Sequence, residues 1–370
     1  MKFNKIKPKN IDRKFLIVLG LILIFGLFVL FSASFIVGAK KFNDPSYYLK
    51  EQLLKGILMG VIGFIFFSRM PLEFLKKYSF LFLIFSIGLL ILVFLPNLGF
   101  SHSGSTRWLS LGSFTFQPGE ILKLSFLIYL ASWLHSRQED IRGFSGGLLP
   151  FLIVIGIVGV LLLMQPNVGT FSVIAISAAA IYFVAGGKLS HLFITGLIGV
   201  VALSVFIFLK PYAAQRFKVF LNPQKDISGA AYQINQALTS IGIGGVTGIG
   251  INNNVVSPYL PETIGDSIFA VLGEKLGLFG TSFSIALYLL FAVFGYKIAM
   301  KSPDYFSKLL VTGITTWIVV QSFINMAAIS GLVPLTGVPL PFMSYGSSGL
   351  IVSLMGAGII ANISRYTTYD

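Results

Sequence analysis

The sequence predicts an all-α, polytopic membrane protein with about ten transmembrane helices, and three observations carry that expectation. Of its 370 residues, 55% are apolar and only 11% are charged. Mean hydropathy is +0.86. The apolar residues fall in continuous runs of about 17–25, the length that crosses a ~30 Å hydrocarbon layer, whereas a β-barrel alternates over short segments.

The expected spans are 15–38, 52–68, 79–95, 120–134, 148–164, 169–185, 191–209, 267–299, 308–330 and 345–364. The first follows a basic tail, 1–14, and its apolar core is too long for a cleaved signal peptide, so it reads as an uncleaved anchor. The eighth is either one long helix or a short tilted entry followed by a span. Four segments interrupt the series with irregular composition: Pro96–Gly119, the turn Gln165–Val168, Lys210–Asp266 and Gly331–Ser344. Together the spans make a single membrane domain, 1–370, with 210–266 as its large loop between helices 7 and 8.

Orientation follows from the basic residues. With both termini cytoplasmic, sixteen Lys and Arg lie inside and eight outside, the sense favoured by the positive-inside rule. All four irregular segments then lie on the outer side. Non-helical backbone at membrane depth survives only where protein buries it or water reaches it, so the four segments imply a shared extracytoplasmic cavity. Small residues such as Gly56 and Gly60 are expected to let helices approach closely.

Composition excludes several chemistries. There is no cysteine, so disulfides and thiolate catalysis are ruled out. The three histidines, His102, His135 and His191, have no metal-ligand spacing. No Gly-x4-Gly-Lys-Ser/Thr loop offers an ATP site. The net charge of +14 is scattered among short loops, which argues against nucleic acid as a partner.

Four constellations remain, all in or beside the outer segments. The first is Gly104-Ser105-Thr106-Arg107-Trp108, Gly112, then Gln117-Pro118-Gly119-Glu120 and Lys123. Proline suits the first helical position, which puts Glu120 in the first turn and Lys123 on the same face. The pair either orients one helix or faces the cavity. The second runs through Arg216, Leu221-Asn222-Pro223, Tyr232-Gln233, Gln236-Ala237 and Gly242-Ile243-Gly244-Gly245. Its glycines either turn a loop or present N–H groups to phosphate, and Arg216 has the planar fork that phosphate accepts. The third is Leu260-Pro261-Glu262 with Asp266 and then Glu274. Asp266 stands just before an apolar run, and a carboxylate at that boundary is costly unless it is solvated, paired or working. The fourth holds Gln321, Asn325, Pro334-Leu335-Thr336-Gly337-Val338-Pro339-Leu340-Pro341-Phe342 and Ser344-Tyr345-Gly346, whose prolines make a rigid wall or re-entrant turn.

These four blocks, in this order, resemble the SEDS family of cell-wall polymerases, and the division branch (FtsW) more than the elongation branch (RodA). Phe31-Ser32-Ala33-Ser34 and the ending Asn362-Ile363-Ser364-Arg365 share the likeness, which covers essentially the whole chain. There are departures. Asn167 stands where the family often has aspartate, Gly265 and Ser267 flank Asp266 in place of threonine and phenylalanine, Gly119 replaces serine, Lys275 replaces glutamate and Ser347 replaces glycine.

The resemblance implies a peptidoglycan glycosyltransferase that polymerises lipid II into glycan strands during division or elongation, in the bacterial cytoplasmic membrane. Its substrates would be lipid II and a polyprenyl-diphosphate-linked glycan. Its partners would be a class B penicillin-binding protein and other divisome or elongasome proteins. Under that reading Asp266 is the general base. Arg107, Trp108, Glu120, Lys123, Arg216, Gln233, Gln236, Glu262, Ser344 and Tyr345 contribute to substrate binding. A divalent cation, Mg or Mn, would be held by Asp266 and Glu262, with no organic cofactor. A transporter that flips lipid II unreacted shares this architecture, but it wants coupling groups near the midplane, and here the acids gather at the outer boundary.

Overall fold

The computed structural model describes residues 8–96, 98–102, 105–111, 114–222 and 230–367. The expected Gly104, Gly112 and Pro223, and the basic Lys2, Lys5, Lys7 and Lys225, lie outside the described residues.

Each expected span has a helical counterpart. They are α1 (Arg13–Phe42), α2 and α3 (Tyr47–Glu51 and Leu58–Arg69, joined by a π-turn), α5 (Ser79–Leu92), α6 (Pro118–Ser136) and α7 (Leu149–Met164). There follow α8 (Val168–Val184), α9 (Leu189–Leu209), α12 (Ile268–Met300), α13 (Tyr305–Ile329) and α14 (Ser347–Ser364). The protein is a multi-pass α-helical membrane protein.

Local sequence sets the helix ends. The Asp12 carboxylate accepts from the Lys14 and Phe15 amides at the start of α1, and Asn43 closes it in a left-handed conformation. The Asp304 side chain caps α13 by accepting from Ser307 N at 3.1 Å. Pro118 opens α6 at its first positions. Asn167 caps α8 by accepting from Thr170 N, a task asparagine and aspartate perform equally, so this departure keeps the helix start intact.

The helices α6, α13 and α14 make the centre, with most of their residues buried. Close approach depends on glycine where expected: Gly56 faces Leu350 and Gly60 faces Leu354, so α14 lies directly on the π-turn and α3. At the edge, α9 buries only His191 and Phe206, and its neighbours are α8 and α10 (Pro211–Leu221).

Two places differ from the sequence reading. The segment expected to be irregular between α5 and α6 forms an antiparallel sheet, β1 (Gly99–His102), β2 (Ser105–Leu111) and β3 (Phe114–Phe116), with Phe100 paired to Trp108 and Leu109 to Phe116. The polar stretch Lys210–Asp266 folds into α10 and α11 (Ala230–Gly244) before it becomes irregular. Of the two forms expected for the eighth span, the structure takes the second, an entry segment and a long helix broken at Gly277 (φ 60°, ψ −151°). A Cβ there would stand 2.5 Å from Gly248 N and 2.6 Å from Val246 O, so only glycine fits the break. By contrast, the segment between α13 and α14 is irregular as expected.

Candidate active site

The long segment between α9 and α12 folds because part of it is amphipathic. Ala231, Ile234 and Ala237 recur at three-residue spacing and are buried, which docks α11. From that helix the Gln233 side chain donates to the Ser267 hydroxyl at 3.1 Å, tying α11 to the entry of α12. On α10, Tyr212 and Arg216 lie one turn apart. The Arg216 guanidinium stacks 4.5 Å over the Tyr212 ring and donates to Leu335 O at 2.7 Å, which fixes its direction.

Glu274 organises the remainder of this segment. Its carboxylate accepts from Ser240 Oγ at 2.6 Å, Val255 N at 3.0 Å, Ser257 N at 2.8 Å and Ser257 Oγ at 3.2 Å, and it is fully buried. Charge-assisted bonds of this kind are the strong ones, and they staple 249–257 to α12. The neighbouring Lys275 ammonium donates to Asn253 O and, at 2.5 Å, to Asn254 Oδ1. Lysine at this departure from the family pattern thus reinforces the same staple.

From Ser257 the connection runs on to Asp266. Thr263 Oγ1 donates to Ser257 O at 3.3 Å and to Leu260 O, which places the turn 262–267. Glu262 adopts φ 51° there, and its carbonyl accepts from Gly265 N and Ser267 N at 3.0 and 3.1 Å. Two buried side chains hold the turn from behind. Asn325 Nδ2 donates to Asp266 O at 2.8 Å and to Val338 O at 2.7 Å, while Ser344 Oγ donates to Gly265 O at 2.7 Å and accepts from Leu340 N. Neither the turn nor the proline-rich wall has regular structure, so each supplies the other's backbone partners.

The Asp266 carboxylate therefore emerges from a fixed backbone. It faces a left-handed glycine: a Cβ on Gly337 (φ 68°) would lie 3.4 Å from Asp266 Oδ2 and 3.8 Å from Arg216 Nη1. Gly337 thus lets the wall approach both charged groups. Arg107, on β2, completes the group. Its Nε donates to Gln165 O at 3.2 Å and its Nη2 to Pro166 O. Burial pushes the Arg107 guanidinium down from its ordinary value, while the charges of Tyr212 and Asp266 act upward and that of Arg216 downward. Arginine keeps its proton through shifts of this kind. One half-buried acid thus sits among two arginines at the end of the bundle that carries β2 and α10.

The other expected residues divide into two sets. Glu120 and Lys123 do form an ion pair, at 2.9 Å, but it is enclosed, with both side chains nearly inaccessible. Lys123 Nζ also donates to Gln321 Oε1 at 2.6 Å and lies 5.1 Å over the Trp317 ring, and Trp317 Nε1 donates to the same oxygen at 2.8 Å. Gln321 in turn donates to Pro339 O at 2.9 Å, so this buried network carries the proline-rich wall. Tyr345 is a brace: its amide donates to Ile264 O at 2.8 Å, its ring meets Tyr48 edge-on, and burial pushes its hydroxyl up to about 12. Trp108 lies on β2 beside Arg107, Gln236 is half-buried on α11, and Glu262 is exposed on the turn that carries Asp266. Gln52 was not anticipated. Buried in the π-turn, it donates to Ser344 O at 3.4 Å and accepts from Gly346 N at 3.2 Å. It follows Lys50-Glu51 at the polar edge of the second expected span, so the sequence did not set it apart.

Among the described residues no group of three His, Asp or Glu side chains is placed to hold a metal ion. Asp266 and Glu262, the two residues expected to hold a cation, lie four residues apart on one turn.

Comparison with known proteins extends this geometry. Residues 12–369 match the FtsW/RodA/SpoVE family, described as cell cycle protein. Stage V sporulation protein E of Bacillus subtilis is 35% identical over 365 residues, covering 98% of this chain and 99% of that one. A probable peptidoglycan glycosyltransferase FtsW of Geobacter sulfurreducens is 34% identical over 361 residues, covering 96% of each. Among solved structures, a chain of a peptidoglycan synthase complex that coordinates polymerization and crosslinking superposes with a TM-score of 0.79 at 25% identity, covering 96% of this chain and 98% of that one. The rod shape determining protein RodA of Thermus thermophilus gives 0.69 at 24% identity over 97% of this chain and 98% of that one, a likeness of fold.

Proposed function

Because the chain belongs to the FtsW/RodA/SpoVE family of cell cycle proteins, we propose that it is a peptidoglycan glycosyltransferase that polymerises lipid II at the outer face of the bacterial cytoplasmic membrane. The observation that carries this reading is the single half-buried carboxylate of Asp266 set among Arg107 and Arg216 on a backbone held by Asn325 and Ser344.

The chemistry needs these parts. A sugar hydroxyl is a weak nucleophile until its proton is removed, and one carboxylate within hydrogen-bond reach can take it. Asp266 accepts that proton. The hydroxyl oxygen attacks the anomeric carbon of the donor, the bond to the lipid diphosphate breaks, and the electron pair leaves on the diphosphate. Inversion at that carbon requires the base on the face opposite the leaving group. Arg107 and Arg216, with forks suited to phosphate oxygens, meet the negative charge that develops there. Their directions are preset by Gln165 O, Pro166 O and Leu335 O, so little reorganisation accompanies the reaction.

Glu262, with Asp266 beside it on the same turn, would hold a divalent cation, which would supply charge neutralisation for substrate phosphate oxygens. Lys123 contributes indirectly, by holding Gln321 and through it the wall that confronts Asp266. Both substrates stay anchored by lipid tails, which accounts for a glycosyl-transfer site on a multi-pass membrane scaffold. A class B penicillin-binding protein is the expected partner, since one structural relative belongs to a complex that couples polymerization to crosslinking.

The deciding experiment supplies purified protein with lipid II, with and without a class B penicillin-binding protein. Glycan strands on a gel support the reading. Intact lipid II moved across a vesicle membrane without polymer would replace it with transport.

A further inference from the structure

At the opposite end of the bundle from Asp266 lies a recess that the reaction does not use. It is formed by α4 (Leu72–Lys77), the start of α5 and the last turns of α6, and has a volume of about 460 Å³. Its lining includes Glu73, Lys76, Lys77, Tyr129, Ser132 and Trp133. The short α4 lies there because Leu72 and Leu75 are buried against the bundle, and Ser132 Oγ donates to Lys76 O at 3.2 Å, pinning α4 to α6.

Three features indicate what the recess takes. Lys76 and Lys77 are adjacent, and among the described residues neither has a carboxylate within ion-pair distance. The aromatic rings of Tyr129 and Trp133 stand beside them, the arrangement found where a protein meets the water–membrane boundary. Phe74 and Phe80, next to the recess, are about half exposed on helices whose apolar surface faces hydrocarbon. A soluble anion would satisfy the lysines and leave those rings unused. A lipid satisfies both, because its acyl chains cover the phenylalanines while its phosphate meets the ammonium groups.

We propose that this recess binds the headgroup of an anionic phospholipid from the leaflet on the N-terminal side of the membrane. The phosphate sits between Lys76 and Lys77, and Trp133 and Tyr129 pack against the glycerol region. Glu73, on the rim, limits the site to one headgroup by opposing a second negative charge. Each lysine near an anionic membrane surface contributes roughly fivefold in affinity.

Native mass spectrometry of the full-length protein, released from micelles containing phosphatidylglycerol or phosphatidylcholine, tests the assignment. The wild type should retain one phosphatidylglycerol and no phosphatidylcholine. Lys76→Gln/Lys77→Gln should lower that retention by tenfold or more, while Glu73→Gln should raise it, a change that loss of folding cannot produce. Three results would each overturn the proposal: equal retention of the two lipids, retention of phosphatidylglycerol unaffected by the double substitution, or displacement of the bound lipid by millimolar inorganic phosphate, which would mark a site for soluble anions.

Discussion

Two carboxylates flank the entry of α12 and do opposite things. Glu274, inside the helix, is fully buried and surrounded by donors from Ser240, Val255 and Ser257. Asp266, just before the helix, is half-buried and directed toward Arg107 and Arg216, which hold their own backbone partners. A carboxylate enclosed by neutral donors fixes its surroundings. One that shares space with cations held by their own backbone partners keeps its oxygens facing the site. The structural acid and the acid proposed as the base are eight residues apart in sequence, and Ser257 and Thr263 connect their surroundings.

Substitutions can break this contrast. Asp266→Asn should lower polymerisation by roughly 10²–10⁴-fold, the usual contribution of a positioned base, while thermal unfolding in detergent stays unchanged. Normal strand synthesis by that variant ends the assignment. Next comes the buried pair. Lys123→Met leaves Glu120 charged and enclosed, and removing one partner of such a pair costs about 3–5 kcal/mol, readable as a lowered unfolding midpoint. An unchanged midpoint would mean that the pair does not carry the wall. Glu274→Gln should weaken the staple by about 1.5–3 kcal/mol, and hydrogen exchange should speed up in 249–257 well before the bundle opens. If exchange there matched the wild type while activity vanished, the roles of the two acids would need to be reversed. The smallest effect is expected at Gly337→Ala, where left-handed backbone adds about 1 kcal/mol of strain. The new methyl crowds Asp266 more than it disturbs the fold, so turnover should fall several-fold with little change in the midpoint.

Much of the fold is legible in the sequence because a bilayer demands about twenty apolar residues per crossing, and nothing else in this chain has that pattern. The Glu120–Lys123 pair is legible for a similar reason, since three-residue spacing puts both on one helix face. What escapes is the structure of polar segments. The strand residues Thr106–Leu111 alternate only briefly between turn-forming glycines and serines, so pairing with β1 and β3, rather than local preference, makes the sheet. The buried stripe Ala231, Ile234 and Ala237 was a readable signal for α11, concealed by the polar residues around it. Long-range partners leave no local trace. Nothing near Asn325 announces that it holds Asp266, which is distant in sequence, and Glu274 shows its use only when 249–257 folds back on it.

The loosely packed α9 has a consequence for the site. It leads directly into α10 and Arg216, yet only His191 and Phe206 along its length are buried by protein. A helix held mainly by hydrocarbon responds to the thickness of that layer by tilting. Acyl-chain length therefore becomes an input to turnover, through the height at which Arg216 is presented to Leu335 and Gly337. Rates measured across vesicles of increasing chain length should pass through an optimum, and a flat response would mean that α10 keeps its place without α9.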